Sequence, residues 1–200
     1  MSELLAGRVA AILCSGSAGD RALALALAEA GADIAIGTLE RDQEFATASI
    51  ANEVWAIGRE QFSSIVDAVD AVALASFAAE TADRLGRCDL LIVSPPSRDG
   101  LGVLPPEEVS AEEWATAVRN GLTIPFLAVH AFQPVIERDG GGLLVLLGDD
   151  GAGLVEGVML AGRKELGGRL NAAWAGRGIR VVCVRAEDAA DEIVRLSVRS

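Results

Sequence analysis

Short apolar runs alternate with longer Ala- and Leu-rich stretches along the whole chain. The runs at residues 8–13, 33–36, 61–66, 89–93, 143–147 and 179–184 read as strands. Several are apolar at successive positions, which is the pattern of strands covered on both faces. The stretches at 20–30, 42–57, 70–85, 110–138, 155–175 and 188–197 read as helices. Gly31, Gly58 and Gly86 stand where the first three helices should stop. Phe45, Val54 and Trp55 are the expected core contacts of the second helix. Ser110 and Glu113 have the spacing of a capping box, and Pro125 and Pro134 predict kinks in the helix that begins there. Gly162, Gly167 and Gly168 should weaken the helix that follows.

Strands that alternate with helices require crossover connections, which are right-handed and give a parallel sheet. The expected fold class is α/β: a Rossmann-type doubly wound three-layer sandwich with a mostly parallel sheet of about six strands, forming one domain over residues 1–200.

Charge narrows the partners. The formal net charge is -12, a field that repels phosphate backbones, so nucleic acid is not an expected partner. Lys164 is the only lysine, and no basic cluster fits a membrane surface. Cys14, Cys88 and Cys183 are far apart and lie in apolar runs, so buried thiols are expected rather than disulfides or a zinc site. No metal site is expected. No leader or apolar span is evident, and the expected location is cytoplasmic.

In such sheets the first strand-to-helix turn is where a phosphate sits, against backbone N–H groups and a helix N-terminus. The turn here is Cys14-Ser15-Gly16-Ser17-Ala18-Gly19-Asp20. The run RVAAILCSGSAGDRALALALAEAGADIAI resembles the opening of the short-chain dehydrogenase/reductase family, which carries T-G-x-x-x-G-x-G there. The resemblance extends from Gly7 to about Val194. It implies cofactor contacts from Ser15, Gly16, Ser17 and Gly19. It also implies contacts from Thr38 and Arg41, which suit NADP(H) better than NAD(H), and from Asp67 in a DAVD run that is similar to the family's D-V-T-D.

The departures are extensive. Cys14, Ala18 and Asp20 fall where the family has its three glycines, with Gly16 and Gly19 out of register. A carboxylate at Asp20 suits the helix dipole but repels a phosphate, and could act as a cap that replaces the ligand. The family's N-N-A-G corresponds to Val93-Ser94-Pro95-Pro96. Its active-site asparagine, two turns after a tryptophan, corresponds to Gly121 after Trp114, with Asn120 adjacent but about 100° away around the helix. Its serine falls in Gly148-Asp149-Asp150-Gly151. Its Tyr-x-x-x-Lys pair falls near Glu156 and Leu160, in a chain without any tyrosine. In the family that tyrosine is the general acid/base and the lysine lowers its pKa. The family's substrate lid and seventh strand also have no counterpart after Arg185.

The resemblance therefore implies a degenerate, non-catalytic member with no catalytic residues assigned and no cofactor required. Its work would be as an oligomerising or binding partner. The family's two long helices, near 110–138 and 155–175, would make a homodimer, a homo-oligomer, or a hetero-oligomer with an active relative. Two alternatives stay open. One is an NAD(P)-dependent oxidoreductase with a rearranged site, using Asp149, Asp150 or Glu156 as proton donor. The other is a nucleotide-binding sensor. Asp149-Asp150-Gly151 is also an ordinary turn sequence, and His130 reads as a packed or surface side chain.

Overall fold

The computed structural model describes residues 3–94, 104–148, 153–186 and 189–198. Six strands form one sheet: β1 Val9–Cys14, β2 Asp33–Thr38, β3 Gln61–Ile65, β4 Leu90–Val93, β5 Gly142–Gly148 and β6 Ile179–Arg185. The order is β3-β2-β1-β4-β5-β6 and every pairing is parallel. Among the described residues the α-helices are α1 Ala18–Glu29, α2 Glu44–Ala56, α3 Ala71–Leu85, α4 Ala111–Val118, α5 Ile124–Arg138, α6 Leu154–Ala173 and α7 Ala189–Ser197. No helix among the described residues is long and apolar enough to cross a membrane.

β1, β4 and β5 are buried at every position. Each face of the sheet explains why. On one, Leu23 of α1, Ile50 of α2 and Ile193 of α7 pack against Ile12, Ile34 and Val145. On the other, Leu74 and Phe77 of α3, Phe132 of α5 and Leu166 of α6 pack against Leu13, Leu91 and Leu144. The fold is the expected three-layer Rossmann-type sandwich, with a wholly parallel sheet.

Two local expectations need correction. Phe45 and Trp55 are not core residues: they are 87% and 70% exposed. The buried stripe of α2 is Thr47, Ile50, Ala51 and Val54, at helical spacing, which turns Phe45 and Trp55 to the surface. The helix expected over 110–138 is interrupted by a π-helical turn, Arg119–Thr123, just ahead of Pro125, while α5 runs on through Pro134. The helix expected over 155–175 is α6, with Gly162 lying against Leu122 and Gly167 against Val181.

Two devices finish the sheet. At its N-terminal end Asp89, 1% exposed, accepts hydrogen bonds from the Val9 N–H (2.9 Å), Arg8 (2.7 Å) and Arg87 (2.5 and 2.7 Å). At the β6 edge, the Asn171 side chain donates to the Val181 carbonyl (2.7 Å) and accepts from the Val181 N–H (2.8 Å). The register Cys14↔Thr38 and Leu13↔Val93 brings the ends of β1, β2 and β4 together, at the point where the strand order reverses. That crevice is where open α/β sheets take ligands.

Candidate functional site

α1 begins two residues earlier than its Ala/Leu pattern indicates, because Ser17 caps it. The Ser17 hydroxyl accepts from the Asp20 N–H (3.1 Å), and an Asp20 carboxylate oxygen accepts from the Ser17 N–H (2.9 Å). This is a capping box with aspartate in the glutamate position. The Ser94 hydroxyl, just beyond β4, donates to the other Asp20 oxygen at 2.6 Å. Asp20 is 2% exposed. A single carboxylate therefore spans the crevice between β1 and β4 at the N-terminus of α1.

The neighbouring ground is also covered. Gly16 has φ +80°, a left-handed conformation open to glycine, and a Cβ built there would lie 3.0 Å from the Ala46 Cβ and 3.2 Å from the Thr47 Cγ2. The start of α2 thus rests on the turn. Thr38, at the tip of β2, is buried, with its hydroxyl oxygen 2.6 Å from that of Thr47. The Thr47 hydroxyl donates back to the carbonyls of Gln43 and Glu44, which leaves the Thr38 hydroxyl as the donor to Thr47. Arg41 is exposed and opens a short 3-10 turn ahead of α2. Asp67 is exposed and accepts the Val69 N–H at 3.1 Å within its own loop. Ser15 and Gly16 are half-buried, and Ser17 and Gly19 exposed. Burial, and next the charge of Asp20, push the Cys14 thiol up to about 12, against the Gly16 N–H, so the thiol beneath the turn stays protonated.

A second cluster lies where α4, α5 and α6 meet the end of β5. Pro125 has no N–H to offer the Gly121 carbonyl four residues back, and the π-helical turn sits at that fault. Arg163 of α6 repairs it: its Nε donates to the Gly121 carbonyl at 2.9 Å, and its terminal nitrogen donates to the Leu147 carbonyl. One guanidinium ties α6 to both the turn and β5. Gly121 is buried under Met159, and a Cβ there would come within 2.7 Å of the Met159 Cγ and 2.8 Å of its Sδ. An asparagine cannot occupy this position unless Met159 moves. The Asn120 side chain accepts from Arg119 Nε at 3.2 Å. Glu156 is half-buried on α6, whereas Asp149 and Asp150 lie outside the described residues. His130 is exposed beside Phe126, ring centroids 6.2 Å apart.

Sequence reasoning singles out Asp20 but passes over Thr47, Met159 and Arg163. A signal was present for two of them. Thr47 and Arg163 are polar residues on the apolar stripes of their helices, and a polar residue there needs a buried partner.

A wholly parallel sheet in this order, with a glycine turn and helix N-terminus after β1, defines a doubly wound dinucleotide-binding type of fold. The family model for enoyl-(acyl carrier protein) reductase matches residues 20–190, and the chain belongs to the short-chain dehydrogenase/reductase superfamily. Three solved structures illustrate the likeness. A metagenomic short-chain oxidoreductase in complex with NADP is 21% identical, with TM-score 0.83 over 98% of this chain and 93% of that one. Hydroxysteroid dehydrogenase from Escherichia coli is 18% identical, with TM-score 0.84 over 98% and 91%. A 7α-hydroxysteroid dehydrogenase complexed with NADH and 7-oxo glycochenodeoxycholic acid is 17% identical, with TM-score 0.80 over 98% and 89%. The shared feature is the fold, which is that of NAD(P)-dependent oxidoreductases.

Proposed function

We infer that this chain is a non-catalytic member of its superfamily that works by assembly, with a second copy of itself or with a catalytically intact relative. The observation that carries this reading is the packing of Met159 onto Gly121, which fills the position of the family's asparagine with an apolar side chain. By the resemblance the tyrosine and lysine positions fall near Glu156 and Leu160, in a chain that contains no tyrosine. Trp114, Phe126, Leu154 and Val158 of α4, α5 and α6 are 39–46% exposed, and they give these helices an apolar outer face suited to a partner. Cys14, Cys88 and Cys183 are all free thiols, which suits the reducing cytoplasm.

A second reading is an NADP(H)-linked oxidoreductase or nucleotide sensor. NADP in a solved relative favours it, as do the left-handed Gly16 turn and exposed Arg41 near the tip of β2. The deciding experiment pairs a light-scattering mass with an assay of nicotinamide absorbance over ketone, alcohol and enoyl substrates. An oligomer without turnover, dissociated by Val158→Arg, is the expected result. Turnover removes the first reading in favour of the second. A monomer that captures no intact relative removes the assembly role.

A further inference from the structure

The crevice at the reversal of the strand order does not fit the cofactor that the fold implies. Three of its features are filled by the chain itself. The N-terminus of α1 holds the Asp20 carboxylate, bonded to the Ser17 N–H at 2.9 Å and the Ser94 hydroxyl at 2.6 Å. At the Gly16 turn, Ala46 and Thr47 stand where a Cβ would come within 3.0 and 3.2 Å of them. The tip of β2 holds the Thr38–Thr47 hydroxyl pair, both residues buried.

We propose that Asp20 is a built-in anionic ligand, which takes the donors that a dinucleotide's pyrophosphate would use and closes the crevice to nicotinamide cofactors. The physics rests on charge and space. The N–H groups and dipole of a helix N-terminus favour one anion there, and a second anion against a buried carboxylate meets like-charge repulsion in a low dielectric. Asp20 also takes part in the capping box, which satisfies the N–H groups of Ser17 and Asp20 from within the chain. Thr47 acts at the next step along the crevice. With its methyl on the glycine turn and its hydroxyl on Thr38, it leaves the ribose side without the hydroxyl that the β2 tip would otherwise present.

The proposal extends the non-catalytic reading from the second cluster to the crevice, and the two can fail separately. The experiment compares the wild-type chain with Asp20→Ala and the isosteric Asp20→Asn. Calorimetry uses NADPH and NADH on the wild type, and thermal unfolding uses inorganic pyrophosphate on all three. The wild type should give no saturable heat up to millimolar cofactor and no pyrophosphate-dependent shift. Removal of the charge should create a saturable shift, about 3–6 °C at ~10 times the dissociation constant for a chain of this size. Asp20→Asn keeps an acceptor for the cap and covers the case in which Asp20→Ala fails to fold. Micromolar NADPH binding by the wild type overturns the proposal, and if turnover is still absent the non-catalytic reading stands. Folded variants that ignore pyrophosphate as the wild type does also overturn it.

Discussion

Two aspartates are sunk into opposite ends of the same sheet and are held by different means. Asp89, at the N-terminal end, is matched by charge: two guanidiniums and the Val9 N–H enclose it. Asp20, at the C-terminal end, is held by neutral donors, a backbone N–H and a hydroxyl at a helix start. The first is a structural tie of a kind any protein can use. The second occupies a place that a parallel sheet otherwise offers to an incoming anion, so the same residue type is a rivet at one end and a plug at the other.

That contrast can be broken by substitution. Asp89→Ala should cost most, about 3 kcal/mol in urea unfolding. Removal of one partner from a buried ion pair costs about 3–5 kcal/mol, and here the half-exposed arginines recover some hydration. Asp20→Ala should cost about 1–2 kcal/mol, the loss of a cap together with the two donors left without their acceptor. If Asp20→Ala proves the more damaging, Asp20 is the structural tie and the distinction fails. Thr47→Val, which deprives the buried Thr38 hydroxyl of its acceptor, should cost about 1 kcal/mol.

Two thiols sharpen the comparison, because one lies beside each aspartate. Burial first, then the charge of Asp20, holds the Cys14 thiol near 12, and burial with the charges of Asp89 and Asp139 raises Cys88 further. Both should resist a thiol reagent at mildly alkaline pH, while half-buried Cys183 reacts first. In Asp20→Ala, Cys14 should be labelled faster than in the wild type, and in Asp89→Ala, Cys88 should be. Mass spectrometry of the labelled peptides reads both.

The smallest effect is expected in acid. Burial alone would push the Asp139 carboxyl up, but hydrogen bonds from Arg138 and the Cys88 N–H, with the charges of Arg138 and Arg87, hold it below the usual carboxylate range. A folded pKa below the unfolded one gives stability that is present above the unfolded value, about 3.9, and lost as the pH falls through the folded one. Asp139→Asn should flatten that part of the acid limb in urea titrations and leave neutral pH little changed apart from the lost pair.

Most of the fold was legible because strand burial and helix stops are local: the apolar runs at 89–93 and 143–147 could be little else than interior strands. The π-helical turn was only half legible. Pro125 announced a fault, but its place depended on a donor from α6, and the chain gives no local sign that Arg163 reaches Gly121. Phe45 and Trp55 misled for the opposite reason. Size suggested burial, while the phase of the helix, set by Ile50 and Val54, turned both outward. At the site, Asp20 was readable from the missing glycines; Met159 over Gly121 was not, since it joins two helices far apart in sequence.

The side chain of Asn171 has a consequence for colloidal behaviour. Among the described residues β6 is an end strand of the sheet, and an uncovered end strand is a template on which other chains can stack into fibres. By pairing with both main-chain groups of Val181, Asn171 imitates the next strand at one residue and interrupts the ladder a foreign chain would need. Resistance to growth edge to edge thus rests in part on one amide, and Asn171→Ala should raise the tendency of this strand to pair with another chain.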